Sequence, residues 1–359
     1  MNFRKKLFTL AGLIVAVIII EICLPLNGGI INIYDKIIYY PLQWLRDLLV
    51  GFIPFSVGDV LYVMAGGYLL FTVVRWVYYL FSFRDYKYKL GVSLLNTINA
   101  ALIIYICFVF GWGANYYKKP LAKEWKLDVY KDTLKLAQFD SLLISRLNLY
   151  APQYQQLSQT NINDTAIKYY KKFTDTHLGQ FGLNVKNTLF SYFLQRLAIE
   201  GYYNPFTGEG QISNAVPAFM LPFVVTHEMA HQAGIAAEGD ANLMAYTLCT
   251  TSGNPTFSYS ATLNVWLYVD RRLFYRDSVK EKALNAELNP LTKRHIDTIE
   301  SLSRLYDNDA SKYSSQMFDN YLKMQQQKEG IRSYGNVVAN AWRLEQQRKT
   351  RPDTILHLP

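Results

Sequence analysis

Cysteine is scarce in this sequence. There are three among 359 residues, Cys23, Cys107 and Cys249, and no CxxC pair. Cys23 and Cys107 fall inside apolar runs, so neither a disulfide framework nor thiolate zinc chemistry organises the chain. No P-loop, GxGxxG or GxSxG segment occurs, which removes the common nucleotide-binding and serine-hydrolase readings. No Gly/Ser linker and no internal repeat divides the sequence. Net charge is +9, yet the basic residues are scattered and form no aromatic-basic patch, so nucleic acid is not expected as a partner.

What is abundant is apolar sequence. Half of the residues are hydrophobic, too many for a disordered chain. Three spans are expected across a lipid bilayer, at about 7–24, 60–81 and 90–112; the last carries no charge over its length. The first follows Arg4, Lys5 and Lys6 and ends in LPLNGG without a small-x-small cleavage site, which favours a retained anchor over a cleaved signal peptide. Arg84, Lys87 and Lys89 lie in the 82–89 turn between the second and third spans. Positive-inside reasoning puts that turn and the N-terminus in the cytoplasm. The chain is thus expected to be a multi-pass protein of the cytoplasmic (inner) membrane. Residues 1–112 form the membrane region, and 113–359 an extracytoplasmic domain. Residues 28–52 are amphipathic and aromatic but short of a span; they fit either a helix on the outer face or one packed against the spans.

The fold class expected is α-rich α+β: three N-terminal transmembrane helices followed by a mostly helical soluble domain. Segment 130–200 keeps a helical apolar spacing, as in DTLKLAQFDSLLISRLNLY. Residues 201–222 are rich in Gly, Pro and Asn, and short extended pieces are expected at Gly210–Ser213 and Ala218–Leu221. Pro222 marks a helix start, and Gly234 its end.

That helix spells VVTHEMAHQAG. His227 and His231 stand four positions apart, so their side chains leave one face with Cβ atoms about 6 Å apart. Two imidazoles so placed can share one Zn2+. Glu228 lies about 100° round the helix, where a carboxylate reaches the open side of the metal and acts as general base toward a water. Gly234 permits a sharp return of acidic side chains toward the metal. A third ligand is needed, and EGDAN offers Glu238 and Asp240. On a helix starting near Ala237 these point about 200° apart, so one of them faces the zinc and the other serves the helix N-terminus.

HEMAH followed by EGDAN resembles the HExxH…ExxA(D/N) arrangement of gluzincin metallopeptidases, among them the membrane-bound CAAX-prenyl and heat-shock proteases. The resemblance implies a zincin-like domain, His227 and His231 as ligands, Glu228 as the base and Glu238 as third ligand. Asn242 takes the place of a residue that orients a ligand histidine. The seven-residue step from His231 to Glu238 is shorter than in those families, which leaves Asp240 as the alternative. Across nearly the whole chain, the three spans followed by GYYNPFTGE, LPF, HEMAHQ and an acidic-AN segment are similar to an uncharacterised bacterial membrane family, domain of unknown function 3810. That likeness implies the architecture and brings no substrate.

Other residues carry weaker expectations. By analogy with zincins, GEGQIS is either the extended edge that pairs with substrate or a plain surface hairpin, and Glu209 a turn carboxylate. Tyr246 is expected in the core. Tyr334 is a possible oxyanion donor. His177, His295 and His357 are expected at the surface. The function expected is a membrane-anchored zinc metallopeptidase acting on envelope proteins or peptides. The alternative is a non-catalytic envelope protein with a structural or vestigial zinc site, in which Glu228 has no use.

Overall fold

The computed structural model describes residues 3–26, 28–127, 134–173, 183–306, 309–324 and 334–350. It is mostly helical with one small sheet. The helices are α1 (Phe3–Leu26), α2 (Gly28–Tyr34), α3 (Tyr40–Val50), α4 (Val57–Phe81), α5 (Phe83–Gly111), α6 (Leu121–Glu124), α7 (Leu136–Tyr150) and α8 (Gln159–Phe173), then α9 (Ser191–Arg196), α10 (Leu221–Gln232), α11 (Glu238–Thr251), α12 (Pro255–Arg276), α13 (Ser278–Asn285), α14 (Pro290–Tyr306), α15 (Asp309–Met324) and α16 (Tyr334–Thr350). The strands are β1 (Val185–Asn187), β2 (Gly201–Asn204) and β3 (Glu209–Ile212).

Helices α1, α4 and α5 are each long and apolar enough to cross a membrane. They run longer than the apolar stretches alone, because charged residues continue the helix beyond the hydrophobic length. Arg84, Lys87 and Lys89 therefore lie in the first turns of α5, and only Ser82 separates it from α4. The 82–89 segment is helix rather than the turn its charge suggests. Helix α5 packs against both α1 and α4.

The near ends of all three helices meet the rest of the chain. Glu21, in the last turns of α1, accepts from Tyr117 Oη at 3.2 Å. Ser56 caps α4 by accepting from Asp59 N at 3.0 Å. Glu209 on β3 accepts from Gly58 N at 2.7 Å and from Lys186 Nζ on β1 at 2.7 Å, so a buried ion pair from the sheet supplies a second cap. Asp59 is fully buried and accepts from Thr188 Oγ1 at 2.9 Å, from Leu189 N at 2.6 Å and from Tyr202 Oη. The membrane-length helices and the later residues, separate in sequence, are thus packed against one another. Glu209 is a buried charge in the middle of that junction, not a turn carboxylate.

Segment 28–52 becomes α2, a π-helical turn at Asp35–Tyr39, and α3. Its apolar residues divide between two faces. Ile33, Ile37, Trp44, Leu48 and Phe52 point outward, whereas Tyr39, Gln43 and Arg46 are buried against the domain. Gln43 donates to Gly208 O at 2.9 Å and Arg46 to Gly111 O at 3.0 Å. The segment therefore packs between the ends of the spans and the domain.

The sheet order is β1-β3-β2, with β1 parallel and β2 antiparallel to β3. GEGQIS thus supplies the central strand. It is no free edge, since both of its sides are paired, and the hairpin it makes with β2 is buried rather than at the surface. Strand β1 interrupts the expected helical run 130–200, its three residues being too few to register against the flanking helical periodicity. Ala218–Leu221 forms no strand but turns into α10. The main core joins α7, α10, α11, α12 and α16, with Phe139, Tyr246, Phe257, Tyr259 and Trp342 buried in it.

Candidate metal centre

Helix α10 begins with Pro222 at its first positions and is almost wholly buried, with α11 and α12 on one side and β2 and β3 on the other. It ends in a Schellman turn. Gly234 has φ +82°, its N–H donates to His231 O at 2.9 Å, and Ile235 N donates to Ala230 O at 3.0 Å. This turn brings the Ile235 carbonyl back to the ring of His231, whose Nδ1 lies 2.7 Å from it. A proton on Nδ1 leaves Nε2 as the free donor, which is the tautomer a metal ligand requires. Glycine at 234 is dictated twice, because an added Cβ would also lie 2.7 Å from a ring carbon of Tyr39 and 2.8 Å from Lys118 Nζ.

Ala237 precedes α11, and Glu238 is the first residue of that helix. Its carboxylate sits between the histidines, Oε2 at 3.3 Å from His227 Nε2 and Oε1 at 3.6 Å from His231 Nε2. One donor atom from each of the three residues lies within 4.8 Å of the others. Ligand atoms about 2.1 Å from a tetrahedral zinc stand about 3.4 Å apart, so this donor set fits one such ion. Among the described residues His227 Nδ1 and Glu228 Oε2 are buried without a hydrogen-bond partner, which marks a polar centre not closed by their bonds.

Electrostatics sharpen the picture. Burial alone would lift the Glu238 acid, but the two imidazoles overcome it and hold the carboxyl well below its ordinary range. Burial would depress His231, and the Glu238 carboxylate reverses this, raising it to about 9. His227 is lowered by burial. Burial pushes Glu228 up to about 8, against the pull of His231.

Glu228 lies under the sheet. A Cβ on Gly201 would sit 2.7 Å from Glu228 Oε1 and 2.7 Å from Gln211 O; one on Gly210 would sit 3.2 Å from Glu228 Cβ. Two glycines on adjacent strands thus make the space for this carboxylate. Asp240 turns the other way, toward the backbone of Leu121, and burial raises it to about 6. It does not join the donor set. Asn242 donates to Glu238 O at 2.9 Å, and its amide bears on His227 without completing a full hydrogen bond to Nδ1.

Aromatic residues surround the donors. The Trp112 ring, directly after α5, meets His231 edge-on at 6.0 Å, and Tyr203 on β2 lies 6.5 Å from the same ring. Tyr39 Oη donates to His231 O at 3.2 Å and Gln232 O at 3.0 Å. The phenols of Tyr116, Tyr268 and Tyr321 are within electrostatic reach of the Glu238 carboxylate. Periodicity could not single these out among twenty-eight tyrosines. Tyr246 is fully buried as expected, with its hydroxyl donating to Glu345 at 2.9 Å. Tyr334 opens α16, but its side chain lies outside the described residues, as do His177 and His357. His295 is half-buried rather than fully exposed: it stacks on Phe219 at 3.9 Å and bonds Tyr259 Oη at 2.8 Å. A cavity of about 720 Å³ lined by Asp47, Phe52, Asn163 and Asn184 opens near α3 and α8 and shares no residue with the donors.

A candidate metal centre on a buried helix, in a domain joined to three membrane-length helices, is the class that fold and geometry define. A family model described as a protein of unknown function (DUF3810) matches residues 34–340, and the chain belongs to that family. No curated protein and no solved structure matches it.

Proposed function

We propose that this protein is a membrane-anchored zinc metallopeptidase whose domain after α5 hydrolyses peptide bonds of envelope proteins or peptides outside the cytoplasmic membrane. The observation that carries the reading is the convergence of His227, His231 and Glu238 within 4.8 Å beside a buried Glu228, one oxygen of which has no hydrogen-bond partner among the described residues. His227 Nε2, His231 Nε2 and the Glu238 carboxylate would hold the metal. Zinc, when bound, supplies Lewis acidity that activates both a peptide carbonyl and a water near neutral pH. Glu228 takes a proton from the attacking water at its free oxygen and returns it to the leaving amine. The sheet above it keeps bulk water from the carboxylate, and the Ile235 carbonyl keeps His231 in the required tautomer.

Sidedness rests on charge. Arg4, Lys5, Lys6, Arg84, Lys87 and Lys89 cluster at the ends of α1 and α5 remote from the domain. Asn99 Nδ2 of α5 donates to Lys6 O at 3.2 Å, which keeps the α1 basic end beside α5. A basic end in the cytoplasm leaves the domain outside.

A structural zinc site would be closed by a fourth protein ligand. Among the described residues the donor group has three members, which favours an open, catalytic site. The test is hydrolysis of casein and of mixed peptides by the purified full chain. Cleavage by wild type, lost in Glu228→Gln while zinc is retained, supports catalysis. Zinc-loaded wild type without cleavage overturns it in favour of a structural site.

A further inference from the structure

The donor set is 110-odd residues beyond α5 in sequence, yet it lies against the ends of the spans in space. Trp112 follows Gly111, the last residue of α5, and its ring is 6.0 Å from that of His231. Tyr62, in the second turn of α4, stacks at 6.4 Å on Tyr202, the strand neighbour of Tyr203. Tyr203 in turn lies 4.4 Å from Trp112 and 6.5 Å from His231. The end of α5 therefore reaches His231 through one aromatic ring, and α4 packs on the strand residue next to Tyr203.

Segment 28–50 fills the remaining space. Its inner face holds Tyr39 on the last turn of α10, and its outer face exposes Ile33, Ile37, Trp44 and Leu48. An amphipathic helix with that apolar face belongs in the headgroup–acyl boundary. On the sheet side, Leu189, Tyr192 and Phe193 are also exposed, and Leu189 N bonds Asp59 in the first turn of α4. That apolar group therefore stands level with the start of the span. The layer between the donors and the hydrocarbon is thus about one helix diameter, roughly 10 Å.

Resting on the peptidase reading, we propose that the substrate is a polypeptide tethered to the same bilayer and cut close to where it leaves the membrane. An extended chain rises about 3.3 Å per residue, so about three residues cross that layer and the susceptible bond lies within a few residues of the exit point. A tethered chain is held at roughly millimolar effective concentration beside a site at this height, whereas a free folded protein must press a loop against the headgroups to reach it. A single membrane helix and an acyl chain both provide such a tether.

The test uses the full-length zinc-loaded protein in phosphatidylethanolamine–phosphatidylglycerol vesicles. The probes are pooled disordered chains, each with several identical copies of one mixed-composition segment in tandem, so that sequence preference is equal at every height. One pool carries a palmitoyl anchor, one a membrane helix, and one no anchor. Mass spectrometry reads the cut positions, with Glu228→Gln as background. The expected result is cleavage confined to the copy nearest the anchor, at a rate about tenfold or more above the free pool. Cleavage of only one anchored pool supports the inference and identifies the tether. Cuts spread evenly over the copies, or equal rates with and without anchor, overturn the inference and leave the peptidase reading standing. No cleavage of any pool overturns both.

Discussion

The Tyr39 hydroxyl donates to the carbonyls of His231 and Gln232, joining the segment after the first span to the last turn of a helix 192 positions further along. Both carbonyls lie in the last turn of a buried helix; that of His231 also accepts from Gly234 N at 2.9 Å. Tyr39 is fully buried against Tyr34, Tyr40 and Trp112, so the contact fixes both the depth and the rotation of α10. Tyr39→Phe keeps the packing and removes the donor. It should lower unfolding free energy by about 1–3 kcal/mol and weaken zinc binding several-fold, read by thermal unfolding and metal titration. Unchanged values for both would show that the segment merely lies beneath the site.

Gly234 and Gly253 both have positive φ, +82° and +74°. An alanine at 253 meets nothing within 4 Å, while one at 234 meets Tyr39 and Lys118. Gly253→Ala should therefore cost only the backbone strain, about 1–2 kcal/mol. Gly234→Ala should cost clearly more and should also lose zinc affinity, because it moves the Ile235 carbonyl from His231. Equal losses in the two variants would contradict the role given to the Schellman turn.

The Lys186–Glu209 pair is buried on both sides, and Lys186 also donates to Val50 O at 2.7 Å. Lys186→Met leaves the Glu209 charge buried with only backbone donors, and should destabilise by about 3–5 kcal/mol. Glu209→Gln in the same chain should recover part of that loss, since a neutral amide oxygen can still accept from Gly58 N. Chemical denaturation of the two variants in detergent measures both. A double variant no more stable than Lys186→Met would refute the charge argument.

Asp140, fully buried in α7, is pushed up to about 7, first by burial and then by the charges of Asp270 and Glu281. The folded state thus holds the proton more tightly than the unfolded one. Its contribution to stability is complete below the ordinary carboxylate pKa of 3.8 and is lost as pH rises through about 7. Asp140→Asn should raise the unfolding temperature at pH 8, by a gain on the order of 2 kcal/mol, and change little at pH 4. A variant less stable than wild type at pH 8 would contradict the assignment.

Much of this architecture is legible in the sequence, for definite reasons. The spans are long apolar runs, and Pro222 and Gly234 bracket α10 because each favours one end of a helix. Residues two apart on a helix cannot face one point, so the sequence leaves Glu238 and Asp240 as alternatives, and the fold turns Glu238 toward the histidines. The sheet is harder to read. β1 spans three residues and gains its strand conformation from long-range pairing with β3. The junction between spans and domain is hidden for the same reason. Asp59, Lys186 and Glu209 look like ordinary surface charges until the fold buries them together. Nor does spacing along the chain reveal that Trp112, at the edge of an apolar run, packs on His231.

The central claim is one metal ion held by His227, His231 and Glu238, and metal content of the purified full chain tests it most directly. One zinc per chain is expected in wild type, Glu228→Gln and Asp240→Asn, and far less than one in His231→Ala and Glu238→Gln. Folded wild type without zinc, or zinc lost from Asp240→Asn and kept by Glu238→Gln, would contradict the account.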